Sequence, residues 1–274
     1  MNWTDTDFGR GAADKVRKLG KEFVPQGLVL ILRESHNMSA DDIRASAMRR
    51  YPGSLARFTR NMKAPIAYAD NGPPPDIAFI DAEGKLLLAG SYTVDLSRAE
   101  KLLPDELKKL KTGWGTHAAA RDARALLYGK GRLAEALACC DKALASEPDQ
   151  AELLQVKGEA RAQFDSTLKQ VRHHLAKGEC ERALEMSTTL VASVAGRPEL
   201  GEPAAKLLAE LGTPEIQREL ELEKTLAAAL KPLEKKEPTA KDVEKLERLG
   251  KEAGDTRVGR RAKELARIAA LSMR

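Results

Sequence analysis

Residues 73–90 read Pro73-Pro74-Pro75-Asp76-Ile77-Ala78-Phe79-Ile80-Asp81-Ala82-Glu83-Gly84-Lys85-Leu86-Leu87-Leu88-Ala89-Gly90, and this stretch decides the fold. Two short apolar runs, Ile77–Ile80 and residues 86–89, flank Asp-Ala-Glu-Gly. The runs have the length of strands. Gly84 stands where a tight connection takes positive φ, so the pair reads as a β-hairpin. A proline cluster leads into its first strand.

Upstream, Ala12, Val16, Leu19 and Phe23 recur at i, i+4, i+7 and i+11, the spacing of an amphipathic helix. Pro25-Gln26-Gly27 stops it. The continuous apolar run from Gly27 to Leu32 has turn signals on both sides, as a buried parallel strand does. Ser39-Ala40-Asp41-Asp42 supplies an N-cap and first-turn acids for a helix reaching about Arg50. Pro52-Gly53 breaks that helix. Leu55, Phe58 and Met62 predict a second short helix, and residues 66–68 a small extra strand. After the hairpin, Asp95-Leu96 opens a closing helix with Leu96, Ala99, Leu103, Leu107 and Leu110 on one face.

The order helix, strand, helices, strand, strand, helix resembles the thioredoxin-like fold, in the branch of the bacterial TlpA-like redoxins. The proline before Ile77, the Ile80-Asp81 strand end and the Gly84-Lys85 turn carry the resemblance. It covers residues 1–112 and implies an α/β domain incomplete at its N-terminus, because the family's central first strand has no counterpart. In that family a Trp ends the first strand and Cys-x-x-Cys follows at a helix N-terminus, where unpaired N–H groups and the helix dipole lower a thiol's pKa. With Trp3 as that Trp, the cysteine positions fall near Thr6 and Gly9. The stretch Thr6-Asp7-Phe8-Gly9 holds no thiol, and Thr6 reads as a helix cap. The resemblance also implies that Pro75 is the family's cis-proline, bordering a peptide groove without catalysis.

Thr112-Gly113-Trp114-Gly115-Thr116 is a glycine-rich junction that divides residues 1–112 from a helical domain over 113–274. Residues 117–128 and 133–146 form a helical pair, ended by Glu147-Pro148. Gly131, Leu133, Ala136, Ala143 and Pro148 fall at spacings that resemble the second helix of a tetratricopeptide repeat. A second, degenerate copy is expected from Asp149 to Ala195, with a long first helix to Lys177 and then Gly178-Glu179-Cys180-Glu181-Arg182-Ala183-Leu184. Ala136 and Ala183 are 47 residues apart, longer than the usual ~34-residue period, so the array is irregular. Leu220, Leu222, Leu226 and Leu230 line a later helix. Val243, Leu246 and Leu249 line another, and Ala262, Leu265 and Ile268 the last. Residues 232–238 read as an exposed linker.

Composition limits the chemistry. The 274 residues suffice for two domains, each with its own core. Aromatic content of 4% argues against a base-stacking surface. The net charge of +5 is dispersed: residues 1–112 carry 18 Lys+Arg against 15 Asp+Glu, and the remainder 28 against 26. No nucleic-acid partner is expected. The longest apolar run falls far short of the ~20 residues that span a bilayer. Cys139, Cys140 and Cys180 are too few for a disulfide framework and read as small packed residues. His173 and His174 are adjacent on a helix and point apart. His36, with Glu34, Asp41 and Asp42, reads as loop solvation. No metal site or cofactor is expected. The sequence therefore predicts a non-catalytic thioredoxin-like protein that binds a peptide or protein partner through its helical array. The alternative is a TlpA-like thiol–disulfide oxidoreductase, truncated or degenerate in this form. The sequence as it stands reads as cytoplasmic, and as periplasmic or exported if the true start lies upstream.

Overall fold

The computed structural model describes residues 2–3, 15, 18–34, 39–50, 57–59, 77–90, 92–234 and 236–273. The chain divides into two compact units. Met1–Lys108, Leu230–Glu244 and Leu265–Arg274 form one, and Lys109–Ala229 with Lys245–Glu264 the other.

In the first unit, β1 (Asn2–Trp3), β2 (Ile31–Glu34) and β3 (Arg57–Thr59) make a parallel sheet in the order β1-β2-β3. Asn2 stands opposite Arg33, and Ile31 opposite Arg57. Parallel neighbours need a crossover. The helical residues 18–23 (α1) fall in the first crossover, and α2 (Ala40–Arg50) in the second. Two expectations change here. Asn2–Trp3 is a strand where none was expected, since two residues are too few to leave a pattern. Among the described residues the middle of this sheet is β2, whereas the resemblance placed the first strand centrally. The short helix expected around Phe58 is also corrected, since Arg57–Thr59 is a strand. Phe and Thr favour a pleated surface, and pairing with β2 decides the outcome. Residues 66–68 lie outside the described residues.

The hairpin is formed by β4 (Ile77–Ile80) and β5 (Leu86–Gly90), antiparallel, with an irregularity in register between Phe79 and Ile80. Its turn is built by Asp81, whose Oδ1 accepts the N–H groups of Glu83 at 2.9 Å and Lys85 at 2.7 Å. Gly84 takes φ +85°, which a residue with a Cβ rarely adopts. The closing helix α3 (Tyr92–Thr112) starts three residues before the expected Asp95 and contains Pro104. Leu96, Ala99, Leu103 and Leu107 are buried along it. Leu19 of α1, Ile77 of β4 and Leu96 and Leu103 of α3 form one core, with Phe23, Leu30, Phe79 and Leu88 against it. That core joins helix, hairpin and closing helix.

The second unit is helical. α4 (Ala118–Arg124) runs into a π-turn, Ala125–Gly129. Then come α5 (Leu133–Leu144), α6 (Ala151–Ala176), α7 (Cys180–Ser193) and α8 (Pro198–Leu211). α9 (Pro214–Leu230) follows, and α10 (Ala240–Glu252) and α11 (Arg257–Ser272) each have residues in both units. From α4 to α8 each helix packs on the next, and α6 also packs on α4 and α8, which is the pattern of a helical array. The helix starts are legible. Gln150 caps α6 by accepting the Glu152 N–H at 2.8 Å, and Pro198 and Pro214 open α8 and α9. Ala136, Cys140, Leu153, Val156, Ala160 and Phe164 lie in one fully enclosed core. Small residues at 136, 140 and 160 allow the helices to approach closely.

Two expectations for the C-terminal helices are corrected. The buried face of α9 is Ile216, Glu219, Glu223, Leu226 and Ala229; the leucines at 220, 222 and 230 are only half-buried. Within 232–238, Pro232, Glu234, Lys236 and Glu237 are exposed as a linker would be, but Leu233 and Pro238 are buried.

Candidate functional site along the seventh helix

α7 follows from its sequence. Cys180, Ala183, Ser187 and Leu190 recur at helical spacing and face inward. Gly178, at φ +70°, turns the chain from α6 into α7 and lies against the backbone of Arg257 at 2.8 Å from where a Cβ would be. The flank of α7 next to this inward face borders a groove of about 630 Å³ with the start of α5 and the middle of α6. Leu133, Met186 and Leu190 give it an apolar floor. Gln163 and Thr167 of α6 and Thr189 and Ser193 of α7 add polar walls. Glu181, Arg182 and Glu185 are exposed along the rim.

The hydroxyls in this groove are committed as donors. Thr167 donates to the Gln163 carbonyl at 2.8 Å, Thr189 to the Glu185 carbonyl at 2.9 Å, and Ser193 to the Leu190 carbonyl at 2.8 Å. Gln163 Oε1 is buried without a hydrogen-bond partner. Glu223 closes one end. Its carboxylate accepts the Glu181 N–H at 2.8 Å and Arg261 Nη1 at 3.1 Å. Glu219, one turn earlier, accepts the N–H groups of Arg257 at 3.1 Å and Val258 at 3.0 Å. Two carboxylates of α9 thus satisfy one N-terminal donor of α7 and two of α11.

A second polar cluster sits at the junction. Arg124 is 3% exposed. Its Nη1 reaches Glu152 at 2.7 Å and the Trp114 carbonyl at 3.0 Å; its Nε and Nη2 hold Glu159 at 3.1 and 3.0 Å. The guanidinium also lies 5.4 Å from the centre of the Trp114 ring. Burial opposes its charge, but the hydrogen bonds to Glu159 and Glu152 outweigh that and raise its pKa. Burial would raise the Glu152 carboxyl as well. The His117 N–H, the Thr116 hydroxyl and Arg124 overcome this and hold it at about 2. Burial and the Glu159 carboxylate push Tyr128 up to about 12. Every partner here is internal, so the cluster fastens the junction to α4 and α6.

The thiols are packed. Cys140 and Cys180 are 0% exposed, and burial pushes each up to about 11. Cys139 is half-buried and also raised by burial. His174 bonds Glu179 at 2.5 Å, and the neighbouring His173 ring stands edge-on to it. Thr6, Gly9, Pro75 and His36 lie outside the described residues. Among the described residues no group of three or more His, Cys, Asp or Glu is placed to hold a metal ion. No helix of these residues is long and apolar enough to cross a membrane.

Sequence reasoning missed the groove and both carboxylate clusters. One signal was available: Glu219 and Glu223 share the stripe of Ile216 and Leu226, and charges on an apolar stripe need buried partners. No protein-family model matches this chain, and no curated protein or solved structure matches it.

Proposed function

We propose that this chain is a non-catalytic, thioredoxin-like protein whose tetratricopeptide-like helical array binds a peptide segment of a partner protein. The observation that carries the reading is the groove along α7. Its volume of about 630 Å³ falls within the range of ligand sites, and its floor is apolar with polar walls. The floor residues Leu133 and Leu190 belong to the same buried core as Phe164, so packing backs the groove. The state of the thiols supports the non-catalytic part. A thiol held at about 11 is ionised in roughly one molecule in ten thousand at neutral pH, and the thiolate is the reactive form.

The experiment is to pan a random peptide library against the purified full chain and measure the recovered sequences by fluorescence anisotropy. Saturable binding is expected. Recovery of no saturable binder defeats the reading. In parallel, the chain is expected to leave insulin reduction by dithiothreitol at its uncatalysed rate. Acceleration would favour the TlpA-like oxidoreductase instead.

A further inference from the structure

The side chains lining the groove offer more acceptors than donors and more negative charge than positive. The hydroxyls of Thr167, Thr189 and Ser193 give their hydrogens to their own helices, so each faces the groove as an acceptor. On the rim, Glu181 and Glu185 stand four residues apart on one face of α7, both exposed. Arg182 is the single cation among the lining residues. Arg261, which approaches from α11, is already engaged by Glu223, by Glu179 and by the Gly178 carbonyl.

A ligand suited to this surface brings donors and positive charge and leaves apolar groups for Leu133, Met186 and Leu190. An acidic segment would meet two rim carboxylates and few donors. We infer that the groove along α7 takes an extended peptide segment in which Lys or Arg residues alternate with apolar ones. The inference rests on the peptide-binding reading above and names the chemistry of the partner. From Glu181 to Ser193, α7 is about 18 Å long at ~1.5 Å per residue, room for roughly five or six residues of extended chain. Donors on the peptide would pair with the rim carboxylates and with the accepting hydroxyls of Thr189 and Ser193. Its apolar side chains would cover Met186 and Leu190.

The test uses the full chain and fluorescein-labelled six-residue peptides, about the length the groove holds, of three compositions: Lys/Leu, Gln/Leu and Glu/Leu. The Lys/Leu peptide is expected to bind most tightly and to weaken as salt rises. The double variant Glu181→Lys, Glu185→Lys is expected to weaken it roughly tenfold. Glu210→Lys, an exposed charge reversal on α8, is expected to leave it unchanged. A thermal melt of each variant shows that the fold is kept. Equal or tighter binding of the Glu/Leu or Gln/Leu peptide overturns the inference. So does indifference to the double variant. Displacement by spermine at concentrations similar to the peptide's own Kd also overturns it, making the site one for small polyamines. The library experiment separates the two levels: binders without Lys or Arg refute the cationic segment and keep peptide binding, whereas no binder at all refutes both.

Discussion

Arg124 shows how one side chain can fasten a junction. Removing its charge would strand Glu152 and Glu159, and removing Glu152 would free one side of the guanidinium together with the N–H groups of Thr116 and His117. Glu152→Ala is therefore expected to cost roughly 2–4 kcal/mol in urea unfolding, in the range for breaking a buried charged pair. The pH dependence follows from the same residue. Its folded pKa of about 2 lies below the ordinary 4.5, so its stabilisation is complete above about 4.5 and is lost as pH falls toward 2. Melts between those values should fall more steeply for the native chain than for Glu152→Gln. Two glycines give a paired prediction. A Cβ at Gly131, φ +64°, would meet open space, whereas one at Gly178, φ +70°, would press on the backbone of Arg257. Gly131→Ala should cost about 1 kcal/mol from conformation alone. Gly178→Ala should cost distinctly more in the same urea titration. A third check concerns the thiols. In native protein, Ellman's reagent should react within minutes at most with Cys139, while Cys140 and Cys180 react only after unfolding.

At the scale of single elements, α10 carries the clearest cap. Thr239 donates its hydroxyl to Asp242 at 2.6 Å and its N–H at 3.0 Å, and Lys236 approaches the same carboxylate at 3.1 Å. The Thr239 hydroxyl holds the Asp242 carboxyl below its ordinary range. Thr239→Ala should lower stability by about 1 kcal/mol, read as a shift in urea midpoint at unchanged slope. Elements whose signals are local were legible in the same way: the Ile77–Ile80 hairpin by its turn, and α3 by its apolar stripe. Elements whose signals are tertiary were not. Phe58 became strand because β2 lies beside it, and Asn2–Trp3 is a strand through its partner alone. α9 misled because leucine was read as the inward residue. Its inward positions at 219 and 223 are glutamates, satisfied by donors about forty residues away in sequence.

For the whole molecule, composition and periodicity revealed the helical character of the second unit, and the glycine-rich junction from Thr112 onward was visible as punctuation. The groove was not, because it is made by residues from α5, α6, α7 and α9 that no spacing rule brings together. Simple helical arrays hold only neighbour to neighbour, so they fray from their ends one pair at a time. α9 departs from that scheme, since Glu219 reaches the first turn of α11 and Glu223 the first turn of α7. Hydrogen exchange should register the difference. The first-turn amides of α7 and α11 should open together with α9 in a single cooperative step, and Glu223→Ala should split that step by releasing α7 to exchange early. A pair of buried acids would then make this end of the array melt as a block rather than unzip.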